Sequence, residues 1–213
     1  MLTLDNVHVR HAAKRKEIEA RLAEFRAIPA KGDATLLAEL SFCICAANSS
    51  AEAAFRAQNE LARSGLLFSD DTDAISAVLL SSHVRFHKNK ARYIVEARKK
   101  LFDEKTLEKT VAENKDALTM RNSLADNVFG LGMKEAGHFL RNTGLAQEVA
   151  ILDRHILKNL VSLGVIGNMP KSLTRKNYLA IEEKMADFSR ENKIPMAHLD
   201  LLMWSEQTGR IFK

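Results

Sequence analysis

Asn127-Val128-Phe129-Gly130-Leu131-Gly132-Met133-Lys134-Glu135-Ala136 is the stretch whose reading decides the fold. Upstream of it, Leu118, Leu124, Ala125 and Val128 keep the apolar rhythm of a helix. Downstream, Ala136, Phe139 and Leu140 restore that rhythm, and Gly144 is placed to stop it. Between the two helices, Gly130 and Gly132 flank a single apolar residue. Two glycines that close allow positive φ and a sharp reversal of the chain. Such a hairpin leaves backbone N–H groups unpaired at the positive end of the second helix, which suits a phosphate. Glycines are also the usual turn residues, so the spacing alone fits a helical hairpin that binds nothing.

The composition fits helices on both sides of that hairpin. The chain has 213 residues, 46% hydrophobic and 28% charged, enough for one large or two small domains with a real core. Only 9 Gly and 3 Pro leave little room for the turns of an all-β protein, so an all-α fold is expected. A formal charge of +5 and a pI near 9.2 suit a polyanionic partner. The two cysteines, Cys43 and Cys45, sit in an apolar helical run and offer neither a disulfide framework nor a four-cysteine cluster. No run reaches the ~20 apolar residues of a membrane span. Asp5, Glu17 and Glu19 interrupt the basic N-terminal helix, so no transit peptide is read and a cytoplasmic location is expected.

Outside the hairpin, the chain reads as a succession of helices. Residues 10–28 place Ile18, Leu22 and Phe25 on one face. Residues 35–47 are apolar nearly all round and predict a central, buried helix. Ser49 and Glu52 have capping-box spacing and open the next helix after a turn with Asn48 at its tip. Ser69-Asp70-Asp71 opens a short helix, and Arg85-Phe86-His87-Lys88-Asn89-Lys90 reads as a basic loop leading into a helix over 91–101. One aromatic among these positive charges suits a backbone contact with a stacking platform, or else a solvated turn. Asp153 stands where a helix begins at Arg154, and Asp is among the best N-caps. Helices over 174–192 and from Pro195 onward complete the chain.

Lys134, two residues past Gly132, and Leu152-Asp153-Arg154-His155-Ile156 further on resemble the helix-hairpin-helix DNA glycosylases. In that family a catalytic lysine follows the hairpin, and an aspartate comes later. The segments Leu40-Ser41-Phe42-Cys43, Asn89-Lys90-Ala91-Arg92-Tyr93-Ile94-Val95, the run from Lys134 to Gly144, and Trp204 with Gly209-Arg210-Ile211-Phe212-Lys213 narrow the match. Together they are similar to the archaeal-type second class of 8-oxoguanine DNA glycosylases, over about residues 36–213. Phe129 stands where many such hairpins carry proline.

The resemblance implies two helical domains with a DNA cleft between them. One is a barrel over 33–145 ending in the hairpin, and the other joins 1–32 with 146–213. It implies a cofactor-free enzyme, expected to act as a monomer on double-stranded DNA containing 8-oxoguanine. Gly130 and Gly132 would hold a phosphate, which positions the duplex without reading its sequence. Asn48 would reach toward the gap left by the flipped base. Lys134 would attack C1′ and form a Schiff base with the sugar, and β-elimination would then nick the strand. Asp153 would stabilise the positive charge developing on the sugar. Phe86 would stack on the oxidised base, while Asp200 and Trp204, one helical turn apart, would line its pocket. Lys213 would supply, through its carboxylate, the acceptor for the N7–H that guanine lacks.

Each of these residues also has a plainer reading. Lys134 fits a solvated charge, Asp153 a cap, Asp200 a surface acid, Trp204 a core ring and Lys213 a frayed tail. A free lysine amine titrates near ~10.4 and attacks only when neutral. Desolvation lowers that value and a nearby carboxylate raises it. Alternative functions are the same chemistry on another lesion, a non-catalytic DNA-binding hairpin module, or a helical scaffold without a DNA role.

Overall fold

The structure, a computed structural model, describes residues 2–113 and 116–213. Among these residues the chain is helical, with no strand. The helices are α1 (Val7–Arg26), α2 (Asp33–Ala46), α3 (Ala51–Arg63), α4 (Thr72–Ser81), α5 (His87–Arg98) and α6 (Thr106–Glu113). They continue with α7 (Ala117–Asn127), α8 (Met133–Asn142), α9 (Arg154–Ser162), α10 (Arg175–Asn192) and α11 (Met196–Thr208). A π-turn over Lys99–Asp103 prolongs α5. No described helix is long and apolar enough to cross a membrane.

α2 is the central helix that its nearly uniform apolarity predicts. It packs on α3, α5 and α8, and every residue from Leu36 to Cys45 is buried. Leu37, Leu40 and Phe42 lose all contact with solvent, and each such burial contributes roughly 1.5–3 kcal/mol. Two polar members of that run are not apparent from hydrophobic patterning. Ser41 returns its hydroxyl to the Ala38 carbonyl (2.8 Å), and Glu39 enters a network described below.

The other end of the chain packs separately, with α11 against α1, α9 and α10. His11 of α1 and His198 of α11 meet across that interface, Nε2 to Nδ1 at 3.0 Å. Burial lowers both pKa values; Arg15 and His8 add to the effect on His11, His11 itself adds to that on His198, and Glu19 opposes both shifts. An imidazole whose folded value lies below its unfolded value of about 6.5 stabilises fully above that pH. The contribution is then lost as pH falls through the folded value. The melting temperature is therefore expected to drop between pH 7.5 and 5.5, and His198→Asn to flatten the drop. Equal slopes in wild type and variant would exclude the pair as the cause.

Several boundaries differ from the sequence reading. Ser50, not Ser49, caps α3 by accepting from the Ala53 N–H (3.1 Å). Ser49 is engaged elsewhere: its Oγ accepts from the Arg85 N–H (3.0 Å) and from Lys90 Nζ (3.1 Å). Lys90 also donates to the Cys45 carbonyl (2.8 Å) and the Ala47 carbonyl, closing the open end of α2. Burial pulls the Lys90 amine down to about 8. α5 begins four residues earlier than expected, at His87, whose ring nitrogen lies 2.8 Å from Ser76 Oγ. α6 has no counterpart in the sequence reading.

Candidate DNA-cleavage site

α7 and α8 form the hairpin. Gly130 takes φ +86°, as expected, but Gly132 does not need positive φ. It is extended at φ −83°, ψ −176°, and stands as the N-cap of α8. The Leu131 N–H donates to the Val128 carbonyl (3.2 Å) and closes the turn. No side chain caps α8, so its first-turn amides remain available to an anion. Phe129 is 71% exposed at the tip, while Leu131 is buried beneath it.

Glycine at 130 is required twice over. A Cβ there would lie 2.8 Å from Tyr93 Cβ of α5, and the backbone is in the left-handed region. Gly130→Ala is expected to destabilise by roughly 1–3 kcal/mol, read from the urea midpoint at unchanged m. An unchanged midpoint would mean that the hairpin is not seated on α5.

Lys134 is the second residue of α8, with its side chain 23% exposed and its amine 3.4 Å from Glu135 Oε1. It opens onto a cleft of about 850 Å³ that Asp153 also lines. Asp153 is the N-cap of α9. One carboxylate oxygen, Oδ1, accepts from both the His155 N–H (2.7 Å) and the Ile156 N–H (2.8 Å). Oδ2 is thereby left out of the cap. The cap thus fixes the carboxylate at a place where Asp153 lines the cleft.

What brings α8 and α9 together is the chain between them. A Cβ at Gly137 would meet the Ala150 carbonyl at 3.0 Å and the Val149 side chain at 3.6 Å, so Val149 and Ala150 lie directly on α8. Tyr178 of α10 donates its hydroxyl to the Ala150 carbonyl (2.6 Å), and the Tyr178 hydroxyl oxygen accepts from the Leu152 N–H (3.3 Å). Glu182 accepts from the Ala150 N–H (2.8 Å) and from both terminal nitrogens of Arg121 (2.9 and 2.7 Å). The Arg121 guanidinium also lies over the Tyr178 ring, 5.4 Å from its centre. Buried ions persist when paired and hydrogen-bonded in this way, and the network fixes the backbone leading into Asp153.

α11 contributes Asp200 and Trp204 to the same cleft, as their four-residue spacing predicts. Asp200 is no surface acid. It is buried, with Oδ2 3.1 Å from Arg141 Nη1, and burial raises its carboxyl to about 6 although Arg141 opposes the shift. Trp204 is half-buried and stacked on Phe212 at 6.0 Å between ring centres. Asn48, in the left-handed region at φ 55°, and Lys213 also line the cleft.

Phe86 does not. It takes φ 58° at the N-cap of α5, is 56% exposed, and carries the Arg85 guanidinium over its ring at 5.4 Å. The ring stands exposed outside the cleft wall, next to Arg85, which does line the cleft. The full aromatic rings in the wall are those of Phe42 and Trp204. Gly130 and Gly132 also stand outside the wall, on the hairpin that presents Lys134.

Among the wall residues not foreseen as site candidates are two on α8 itself. His138 and Arg141 follow Lys134 at i+4 and i+7, so all three share a face of α8. Burial holds the His138 pKa well below its usual value; the charges of Arg141, Lys134 and Lys213 add to the effect, and the Lys213 backbone opposes it. At neutral pH the ring is therefore uncharged and offers one donor and one acceptor. The helical spacing was the available signal, but its meaning depends on which face of α8 meets the cleft.

The 8-oxoguanine DNA glycosylase family profile matches residues 18–194. An 8-oxoguanine DNA glycosylase/AP lyase of Fusobacterium nucleatum is 43% identical over 202 residues, covering 91% of this chain and 89% of that protein. The crystal structure of the 8-oxoguanine DNA glycosylase of Thermotoga maritima superposes with a TM-score of 0.87 at 32% identity, covering 99% of this chain and 98% of that one. The Methanocaldococcus jannaschii 8-oxoguanine glycosylase/lyase, in complex with a 15mer DNA containing 8-oxoguanine, gives 0.83 at 34% identity, covering 93% of each chain. A profile spanning most of the chain, relatives above 30% identity along nearly its whole length, and the shared fold make one assignment: the chain belongs to the 8-oxoguanine DNA glycosylase family, with its helix-hairpin-helix architecture.

Proposed function

We propose that this protein excises 8-oxoguanine from double-stranded DNA and then nicks the strand, with Lys134 as nucleophile and Asp153 as its electrostatic partner. The observation that carries the reading is that Lys134 and Asp153, on different helices, open onto the same cleft as Asp200, Trp204 and Lys213. A base inside a duplex is inaccessible, so it must be flipped into this space. The helical groups 33–145 and 1–32 with 146–213 act as two domains flanking the DNA. The Gly130–Gly132 turn and the uncapped first turn of α8 take a phosphate. Asn48, on the rim, faces the gap that the base leaves.

In the reaction, the neutral Lys134 amine attacks C1′ as the bond from C1′ to the base breaks. The base leaves with a proton, and the ring-opened sugar is held as an imine on Nζ. Loss of a C2′ proton then expels the 3′ phosphate by β-elimination. The Asp153 Oδ2 faces the sugar and offsets the positive charge that develops at C1′. A main-chain oxygen of Lys213 accepts the N7–H of the lesion, where guanine would present a second acceptor. Neutral His138, Asp200 and Trp204 complete the pocket. The protein acts as a monomer in the cytoplasm on chromosomal DNA, a polyanion that suits its formal charge of +5.

Borohydride trapping on a duplex with one 8-oxoguanine opposite cytosine tests the reading. A covalent complex on the damaged duplex and none on the undamaged one is expected. Trapping only on abasic DNA would keep the lyase and move the substrate to another lesion. No trapping on either would leave the hairpin as a DNA-binding module.

A further inference from the structure

The last four residues are anchored far more firmly than a frayed end. The Lys213 side chain is only 9% exposed and its ammonium ion-pairs with Glu39 of α2, itself 5% exposed. Gln58 Oε1 of α3 accepts from the same ammonium at 2.8 Å. Gln58 Nε2 donates to Glu39 Oε1 (2.9 Å), and Asn142 Nδ2 of α8 donates to Glu39 Oε2 (3.2 Å). Phe42 and Phe55 face the ammonium, their ring centres 4.7 and 5.3 Å away. Nothing in the chemistry proposed above uses Glu39, Gln58 or Asn142.

Further contacts tie down Phe212 and Arg210 just before Lys213. Phe212 packs edge-on against Phe42 and Phe55 and stacks on Trp204. Arg210 lies over the Phe212 ring at 4.6 Å and reaches Glu52 Oε1 at 2.7 Å. The segment 210–213 therefore leaves α11 and is clamped onto α2 and α3, with the Trp204 ring of the cleft wall resting on it.

We propose that Glu39, with Gln58 and Asn142, forms a socket for the Lys213 ammonium that sets the wall of the base pocket, making these three residues positioning residues for lesion selectivity. The proposal rests on the reading of the cleft as a base-excision site. A buried ammonium tolerates its place only while a carboxylate and further acceptors satisfy it. Removing the Glu39 charge leaves the ammonium unpaired, and the side chain withdraws toward water. The Lys213 main chain moves with it, and Phe212 no longer holds Trp204. Base recognition then suffers more than the reaction at Lys134, because an abasic site presents no base to be read.

The test compares wild type, Glu39→Gln, Lys213→Met and the double variant. Trp204 is the single tryptophan of the chain, so intrinsic emission reports on the wall directly. Glu39→Gln is expected to shift that emission to longer wavelength at unchanged far-ultraviolet circular dichroism. The ratio of 8-oxoguanine excision to cleavage at a preformed abasic site is expected to fall by about tenfold or more. Adding Lys213→Met is expected to change little further, since both substitutions remove one contact. Unchanged emission and ratio, equal loss of both activities, or full additivity would each overturn the proposal. If Glu39→Gln does not fold, Gln58→Leu removes the 2.8 Å acceptor while keeping the ion pair, and carries the same expectations. If the wild type excises no 8-oxoguanine, the substrate reading fails, and the emission arm alone decides whether the socket holds the wall.

Discussion

Lys134→Gln is expected to eliminate borohydride trapping on both 8-oxoguanine and abasic DNA, and to lower base excision by roughly 10³-fold or more. Glutamine keeps much of the length of the side chain but has no amine to form an imine. The fold should not register the change. Lys134 lies in the first turn of α8, partly exposed, with its amine 3.4 Å from the adjacent Glu135. A cation at a helix N-terminus also opposes the helix dipole, so its loss carries no stability penalty from that source. Duplex binding should persist, because the proposed phosphate site uses backbone amides. The measurement is trapping beside a melting curve and a binding isotherm. An undiminished covalent complex in the variant would transfer the nucleophile to another amine, and the buried Lys90 would be examined next.

Asp153→Asn is expected to separate the helix cap from the catalytic role proposed for the same side chain. Asparagine caps a helix as well as aspartate does, and its amide oxygen can accept from the same His155 and Ile156 amides. Stability should therefore change by no more than about 0.5 kcal/mol. Excision should fall by roughly 10²- to 10⁴-fold, because the carboxylate facing a developing cation is lost within a confined cleft. Single-turnover excision and a thermal melt on the same sample provide the comparison. A matched loss of stability and activity would reduce Asp153 to a cap.

The contrast between these residues and Lys213 shows where sequence reading reaches its limit. Asp153 was legible because a cap is a local device, its acceptor and donors lying within three residues. Lys134 was legible because its position is counted from the hairpin glycines. Asp200 and Trp204 share a face of α11 by their spacing alone. That Phe86 takes a left-handed turn and stands exposed was not legible, because helical patterning carries no signal for such a turn. Ser49 lost its capping role to Ser50 because a contact with α5, some forty residues on, claims its hydroxyl.

By itself the sequence determined the all-α class, the helical hairpin with Lys134 beyond it, and the capping carboxylate at Asp153. All of these follow from backbone preferences and hydrogen bonds that close within a turn or two. Only the tertiary structure decided which helix faces share the cleft, that Gly137 lets Val149 and Ala150 lie on α8, and that Glu39 receives Lys213. Those outcomes depend on burying charge and apolar surface against partners distant in the chain, and a buried charge is tolerable only where the fold delivers its counter-ion.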